Sequence, residues 1–269
     1  VEWTTPLGGV TRPDLLVVYF HGGGYSSGLA AWARPAAARL ARALGCRVVA
    51  ADYRLTPQFP FPAAHEDALA VYRHLLGPSG YSARNIAVAG DSAGGSIALS
   101  LMADARDLGL PQPACGMLNS VWADIALNTP SLDDVRRNRC DIRRELVEVL
   151  SRTVLSPGGI DPRDPRHSPV YRDLRGLNPL LLQAAGNDVC HDDSVRIAAS
   201  ARAAGVTTTL TEYPDAEHIW ILNGPWRLQY GANYPDDTVS WVDCGAESAD
   251  AVPAIEEMCA FVQQHTGSA

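Results

Sequence analysis

The stretch Val88-Ala89-Gly90-Asp91-Ser92-Ala93-Gly94-Gly95 is a short apolar run that breaks into Gly-x-Ser-x-Gly and resumes as an Ala/Leu-rich helix. A serine at such a strand-to-helix turn projects its hydroxyl outward, because flanking glycines let the backbone take a strained path and leave nothing to crowd the oxygen. The helix from Ala93 to about Leu108 aims its amino end at the same spot, where unpaired N–H groups and the macrodipole favour developing negative charge. One turn therefore offers a nucleophile and part of an anion site.

A hydroxyl is a poor nucleophile until a base takes its proton, and the base needs an orienting acid. The chain holds seven histidines, so position must choose among them. In the architecture that places Gly-x-Ser-x-Gly on a strand-to-helix turn, the partners follow in the order serine, acid, histidine, each in a loop after a strand. Asp188 follows the apolar run Leu180–Ala185, and His218 follows Thr207–Tyr213. Asp192 and Asp215 remain alternative acids. His191 is a rival base, but it lies three residues past Asp188 and starts the next helix. His74 and His265 read as surface residues near helix ends, and His167 could line a pocket.

A second loop bears on the same chemistry. Leu15-Leu16-Val17-Val18-Tyr19-Phe20 ends at His21-Gly22-Gly23-Gly24-Tyr25, and adjacent glycines mark a place where backbone approaches something closely. With Ser92 downstream, the N–H groups of Gly23 and Gly24 together with that of Ala93 are the expected oxyanion hole; a flexible turn is the alternative. His21 is expected to brace this loop. His65-Glu66-Asp67 resembles a metal cluster, but adjacent helical residues point apart, so solvent-facing or capping roles are expected.

Several elements must position these groups. Strands are expected at Leu15–Phe20, Cys46–Ala51, Ile86–Ala89, Ala114–Leu118, Leu180–Ala185 and Thr207–Tyr213. Helices are expected at Ala31–Leu44, about Pro62–Leu76, Ala93 to about Leu108, Asp192–Ala204 and Ala251–His265. This alternation predicts one α/β domain over residues 1–269, with a mostly parallel sheet covered on both faces and ligands at the strands' carboxyl ends. Residues 122–175 interrupt the pattern with an Arg-rich helix, about Ile142–Leu155, and a proline-punctuated run, and read as an insertion over that edge. Arg136, Arg137, Arg139, Arg143 and Arg144 read as a solvated face. A second excursion at about 223–245 is crowded with Trp226, Tyr230, Tyr234 and Trp241.

Composition excludes several classes. The 269 residues are 46% hydrophobic and 19% charged with net charge −8, which argues against a nucleic-acid partner or an anionic membrane surface. No apolar run reaches the ~18 residues of a membrane span. All 22 basic residues are Arg, so lysine-based Schiff-base and Walker-type chemistries are excluded. The six cysteines show no Cys-x-x-Cys pair and no metal-ligand spacing, so no metal is expected and free thiols are, Cys46 and Cys115 in buried strands among them. A cytoplasmic location is the lean of this cysteine usage.

His21-Gly22-Gly23-Gly24, Tyr53-Arg54-Leu55-Thr56-Pro57, Phe61-Pro62-Ala63-Ala64-His65-Glu66-Asp67, Gly90-Asp91-Ser92-Ala93-Gly94-Gly95, Asp164-Pro165 with Ser168-Pro169, Asp188 with Asp192, and His218 occur in order, and together resemble the bacterial hormone-sensitive-lipase family of carboxylesterases. The resemblance runs from about Leu15 to His218. It implies an α/β-hydrolase fold and a cofactor-free serine hydrolase acting on a small-molecule ester: acyl-enzyme formation at Ser92, His218 as base then acid, Asp188 orienting it, and Gly23, Gly24 and Ala93 holding the oxyanion. A homodimer through an edge strand is compatible with it, though no residue demands one. Only about twenty residues precede the glycine loop, so an amino-terminal cap is expected to be reduced, missing or outside this sequence. Tyr25, Trp122, Ile219, Trp220 and Trp226 are the expected pocket residues, with the aromatic excursion walling the pocket or merely burying its rings against the sheet. The leading expectation is hydrolysis of short-to-medium acyl esters. A specialised lactonase, cyclase, dehydratase or formamidase on the same scaffold is the alternative, and a binding protein a third, disfavoured by the retained His218.

Overall fold

The computed structural model describes residues 1–134, 142, 144–156, 158–222 and 250–267, and the backbone of 226–229 and 240–243. Strand β1 (Glu2–Thr4) is followed by β2 (Leu16–Phe20), β3 (Arg47–Ala51), β4 (Ile86–Asp91), β5 (Cys115–Asn119), β6 (Leu180–Asn187) and β7 (Thr208–Glu217). They form a seven-stranded sheet in the order β1-β3-β2-β4-β5-β6-β7. All neighbours are parallel except the β1–β3 pair.

The continuous apolar runs arise because both faces of the sheet are covered. Alternate residues of β2 point to opposite sides: Leu16, Val18 and Phe20 join one core, and Val17 and Tyr19 the other. Helices α2 (Ala63–Leu76), α3 (Ala93–Asp107) and α5 (His191–Ala203) contribute to the first core, α1 (Arg34–Leu44) and α6 (Ala251–His265) to the second. Helix α1 carries Pro35 in its first turn and ends at Gly45 in the left-handed conformation, φ 64°.

Two boundaries depart from expectation in a way that matters. The sequence reading ends β6 at Ala185 and β7 at Tyr213, whereas the strands continue to Asn187 and Glu217. Pro214 does not stop β7, because β7 is the edge strand of this sheet among the described residues and one side of its backbone needs no partner there. A register shift between Ala185 and Asn187 absorbs the irregularity, after which Asn187 pairs with Glu217. The residues that immediately follow this pair are Asp188 and His218. Strand β1 is a further addition, too short to show an alternation in sequence, and Arg34 clamps it through Glu2 at 2.5 Å.

Between β5 and β6, helix α4 (Arg144–Val154) brings Leu150 to the glycine loop, where a Cβ on Gly24 would lie 2.6 Å from Leu150 Cδ1. Arg144, expected on a solvated face, pairs with Asp133; Arg136, Arg137, Arg139 and Arg143 lie outside the described residues. Strands β8 (Trp226–Gln229) and β9 (Ser240–Asp243) pair antiparallel within the aromatic excursion. Tyr230 and Tyr234, and the side chains of Trp226 and Trp241, lie outside the described residues. Among the described residues no helix is long and apolar enough to cross a membrane.

Candidate active site

Ser92 sits between β4 and α3 with φ 53° and ψ −122°, a conformation that L-residues adopt only when the surroundings enforce it. Its N–H donates to Asn119 O at 3.0 Å, and its carbonyl accepts from Gly95 N and Trp122 N, both at 3.1 Å. The small residues of the motif are needed for space as much as for conformation. A Cβ on Gly94 would lie 2.0 Å from Phe20 O, so α3 can start against the end of β2 only with glycine there.

The ends of β6 and β7 supply the partners. His218 Nε2 is 3.0 Å from Ser92 Oγ, and His218 Nδ1 is 2.9 Å from Asp188 Oδ1. A carboxylate can only accept, so the proton sits on Nδ1 and Nε2 is left to accept from the serine hydroxyl. Burial alone would push the imidazole below its ordinary value, but the charge and hydrogen bond of Asp188, aided by Asp91, leave it raised. Asp188 is completely buried; its Oδ1 also accepts from Cys190 N at 2.8 Å.

The glycine loop closes the third side. Gly23 and Gly24 have φ 112° and 60°, and the carbonyl of Gly23 is turned toward Ser26 N and Ser27 N at 3.1 and 3.0 Å. Among the described residues no protein acceptor pairs with the N–H groups of Gly23, Gly24 or Ala93. His21 braces the loop: its Nδ1 donates to Gly22 O at 2.7 Å and its ring stacks on Tyr53 at 4.3 Å, whose hydroxyl donates to His21 O.

Other sequence candidates are placed elsewhere. His191 is held between Asp192 at 2.9 Å and Glu212 at 2.8 Å, and Asp192 also accepts from Ser131 N. Tyr25 and Trp122 are buried beside the turn with ring centroids 6.1 Å apart, and Ile219, φ 52°, donates its N–H to Ser120 Oγ at 3.1 Å. Trp220 turns away. Its indole joins the second core and donates to Asp250 O at 3.2 Å, because the chain after His218 must cross toward α6.

His65 corrects an expectation. It is buried against Tyr25 and Phe61, with neither ring nitrogen partnered among the described residues, while Glu66 and Asp67 bind Arg54 at the surface. Burial first, then the charges of His167 and Arg172, push its pKa down to about 3. Below its ordinary value of 6.5 the unfolded chain takes up a proton that the folded chain refuses, so stability falls as pH drops from about 6.5 toward about 3. The slope is up to about 1.4 kcal/mol per pH unit. Thermal melts between pH 7 and pH 4 should therefore fall less steeply for His65→Leu than for the wild type; parallel curves would refute this origin.

Three supports carried no signal in the sequence. Tyr19 donates to Asp91 Oδ1 at 2.8 Å beneath the Ser92 turn, and burial raises the Asp91 carboxyl to about 6. Ser120 anchors the residue after His218. Asp193, buried, accepts from Ala123 N and Asp124 N at 2.7 and 3.0 Å and fixes the loop that carries Trp122. Beside the turn, a cavity of about 10 Å³ is lined by Trp122, Leu132, Val147 and Cys190 among others. A cavity of about 680 Å³ opens at the opposite edge, between residues that precede β4, β5 and β6, and touches none of these groups.

Residues 17–222 match the family model described as alpha/beta hydrolase fold. The chain is 37% identical over 224 residues to an acetyl-hydrolase of Streptomyces hygroscopicus, covering 81% of this chain and 71% of that protein. It is also 37% identical over 195 residues to the putative acetyl-hydrolase LipR of Mycobacterium tuberculosis, covering 71% of this chain and 61% of that one. Among solved structures, an esterase from the bacterial hormone-sensitive lipase family superposes with a TM-score of 0.84 at 33% identity, covering 98% of this chain and 80% of that one. The chain belongs to the α/β-hydrolase fold family and, within it, to the carboxylic ester hydrolases of the bacterial hormone-sensitive-lipase group.

Proposed function

We propose that this ester hydrolase cleaves short-to-medium acyl esters through an acyl-enzyme, with Ser92 as nucleophile, His218 as base and then acid, and Asp188 as its orienting carboxylate. The observation that carries the reading is the unbroken relay of 3.0 and 2.9 Å from Ser92 through His218 to Asp188. Ser92 Oγ attacks the acyl carbonyl while Nε2 takes its proton, and the imidazolium formed is stabilised by the buried carboxylate. The carbonyl oxygen, now negative, is received by the N–H groups of Gly23, Gly24 and Ala93, two from the loop and one from the start of α3. The imidazolium protonates the leaving alcohol, and water repeats the sequence to release the acid and restore Ser92. Helix α4 of the insertion serves as a wall over this edge, with Leu150 against Gly24.

The acetyl-hydrolase relatives favour short acyl groups. A panel of p-nitrophenyl esters tests this. kcat/KM should be highest for acetate to hexanoate and fall for longer chains. Near-silence across the panel, with Ser92 still labelled by a serine-directed phosphonate, would replace the general esterase with a dedicated enzyme on the same triad.

A further inference from the structure

We propose that Asp188, Cys190 and His218 form a binding site for one zinc ion, which switches the enzyme off by taking the base out of the relay. A carboxylate oxygen of Asp188, Sγ of Cys190 and a ring nitrogen of His218 all lie within 4.8 Å of one another. Nδ1 is the ring nitrogen that faces the carboxylate, at 2.9 Å. The grouping has a local cause: Cys190 N donates to Asp188 Oδ1 at 2.8 Å, which folds residue 190 back over the carboxylate as the chain enters α5. A second observation points to a ligand. Among the described residues Asp188 Oδ2 is buried with no hydrogen-bond partner, in a residue that is 0% exposed. A buried carboxylate oxygen with nothing to accept from is a standing demand for a donor or a cation.

The donor set selects the ion. One thiolate, one imidazole and one carboxylate suit zinc in four-coordinate geometry with a water as the fourth ligand, whereas magnesium and calcium require more oxygen donors than are present. Zinc bonds of about 2.0–2.3 Å place tetrahedral ligands roughly 3.4–3.6 Å apart. The 2.9 Å pair must therefore open slightly and the widest gap, at most 4.8 Å, must close, which are side-chain movements. Charge also closes: the thiolate and the carboxylate neutralise the ion.

Inhibition follows from the proton inventory and rests on the catalytic reading above. On binding, the Cys190 thiol proton leaves to solvent and zinc takes the Nδ1 lone pair. The proton formerly on Nδ1 is carried by Nε2. That nitrogen then donates to Ser92 Oγ instead of accepting from it, so the hydroxyl has no base.

The test uses zinc and cobalt(II) on the full chain. Zinc should bind wild type and Ser92→Ala alike, one ion per chain by calorimetry. Cobalt(II) in Ser92→Ala should show the thiolate-to-metal charge-transfer absorption, absent in Cys190→Ser and Cys190→Val. Ester turnover, normalised to each variant's own metal-free rate, should be abolished by zinc and restored by chelator in wild type. Either Cys190 variant should need at least about a hundredfold more zinc. A missing charge-transfer band in folded Ser92→Ala, or the same zinc sensitivity in the Cys190 variants as in wild type, would overturn the proposal. The cobalt band in a chain whose wild type turns over no ester would uphold the metal site and reject the catalytic roles instead.

Discussion

Replacing Ser92 by alanine is expected to lower kcat by about 10⁶ while changing KM little. The reason is local. The hydroxyl donates its one side-chain hydrogen bond to His218 Nε2, and the strained backbone is held by Asn119, Trp122 and Gly95 through main-chain groups that alanine keeps. The variant should thus fold and bind ester, yet offer nothing to be acylated. Steady-state rates on p-nitrophenyl acetate, with a melting curve as the control for folding, decide it. A variant with the wild-type melt and more than about a hundredth of the wild-type rate would mean that the chemistry lies elsewhere.

The Asp188→Asn variant is expected to lower kcat by about 10⁴, less than loss of the nucleophile. Asp188 Oδ1 accepts from His218 Nδ1 and from Cys190 N, so an amide placed there keeps much of the geometry. It removes the negative charge that stabilises the imidazolium, and an amide group turned toward the ring would favour the wrong tautomer. Asp192→Asn supplies the contrast. Asp192 accepts from Ser131 N and lies 2.9 Å from His191 Nδ1, outside the relay, so its kcat should stay within the wild-type order of magnitude. Equal losses in the two variants would reverse the assignment of the acid.

What made Ser92 legible in the sequence was a local constraint. A serine forced into a tight strand-to-helix turn needs small neighbours, and Gly90, Ala93, Gly94 and Gly95 are written beside it. The same holds for the glycine loop after β2 and for the apolar runs that announce strands buried on both faces. His218 was narrowed by order along the chain, since a histidine after a late strand arrives at the same edge of a parallel sheet. His65 misled because two acidic neighbours made it look like part of a polar surface, when its helix turns that one residue inward.

By itself the sequence determined the alternation of strand and helix, the strand-to-helix turn at Ser92 and the glycine loop, because each depends on residues adjacent in the chain. Only the tertiary structure decided which carboxylate and which imidazole meet that serine. Their approach rests on the Asn187–Glu217 pairing beyond a bulge, on Ser120 holding Ile219, and on Asp193 pinning the Trp122 loop, contacts between residues some 30 to 100 positions apart. It also carried Trp220 into the second core. Packing and hydrogen-bond satisfaction between distant segments set those positions, and no pattern within one segment encodes them.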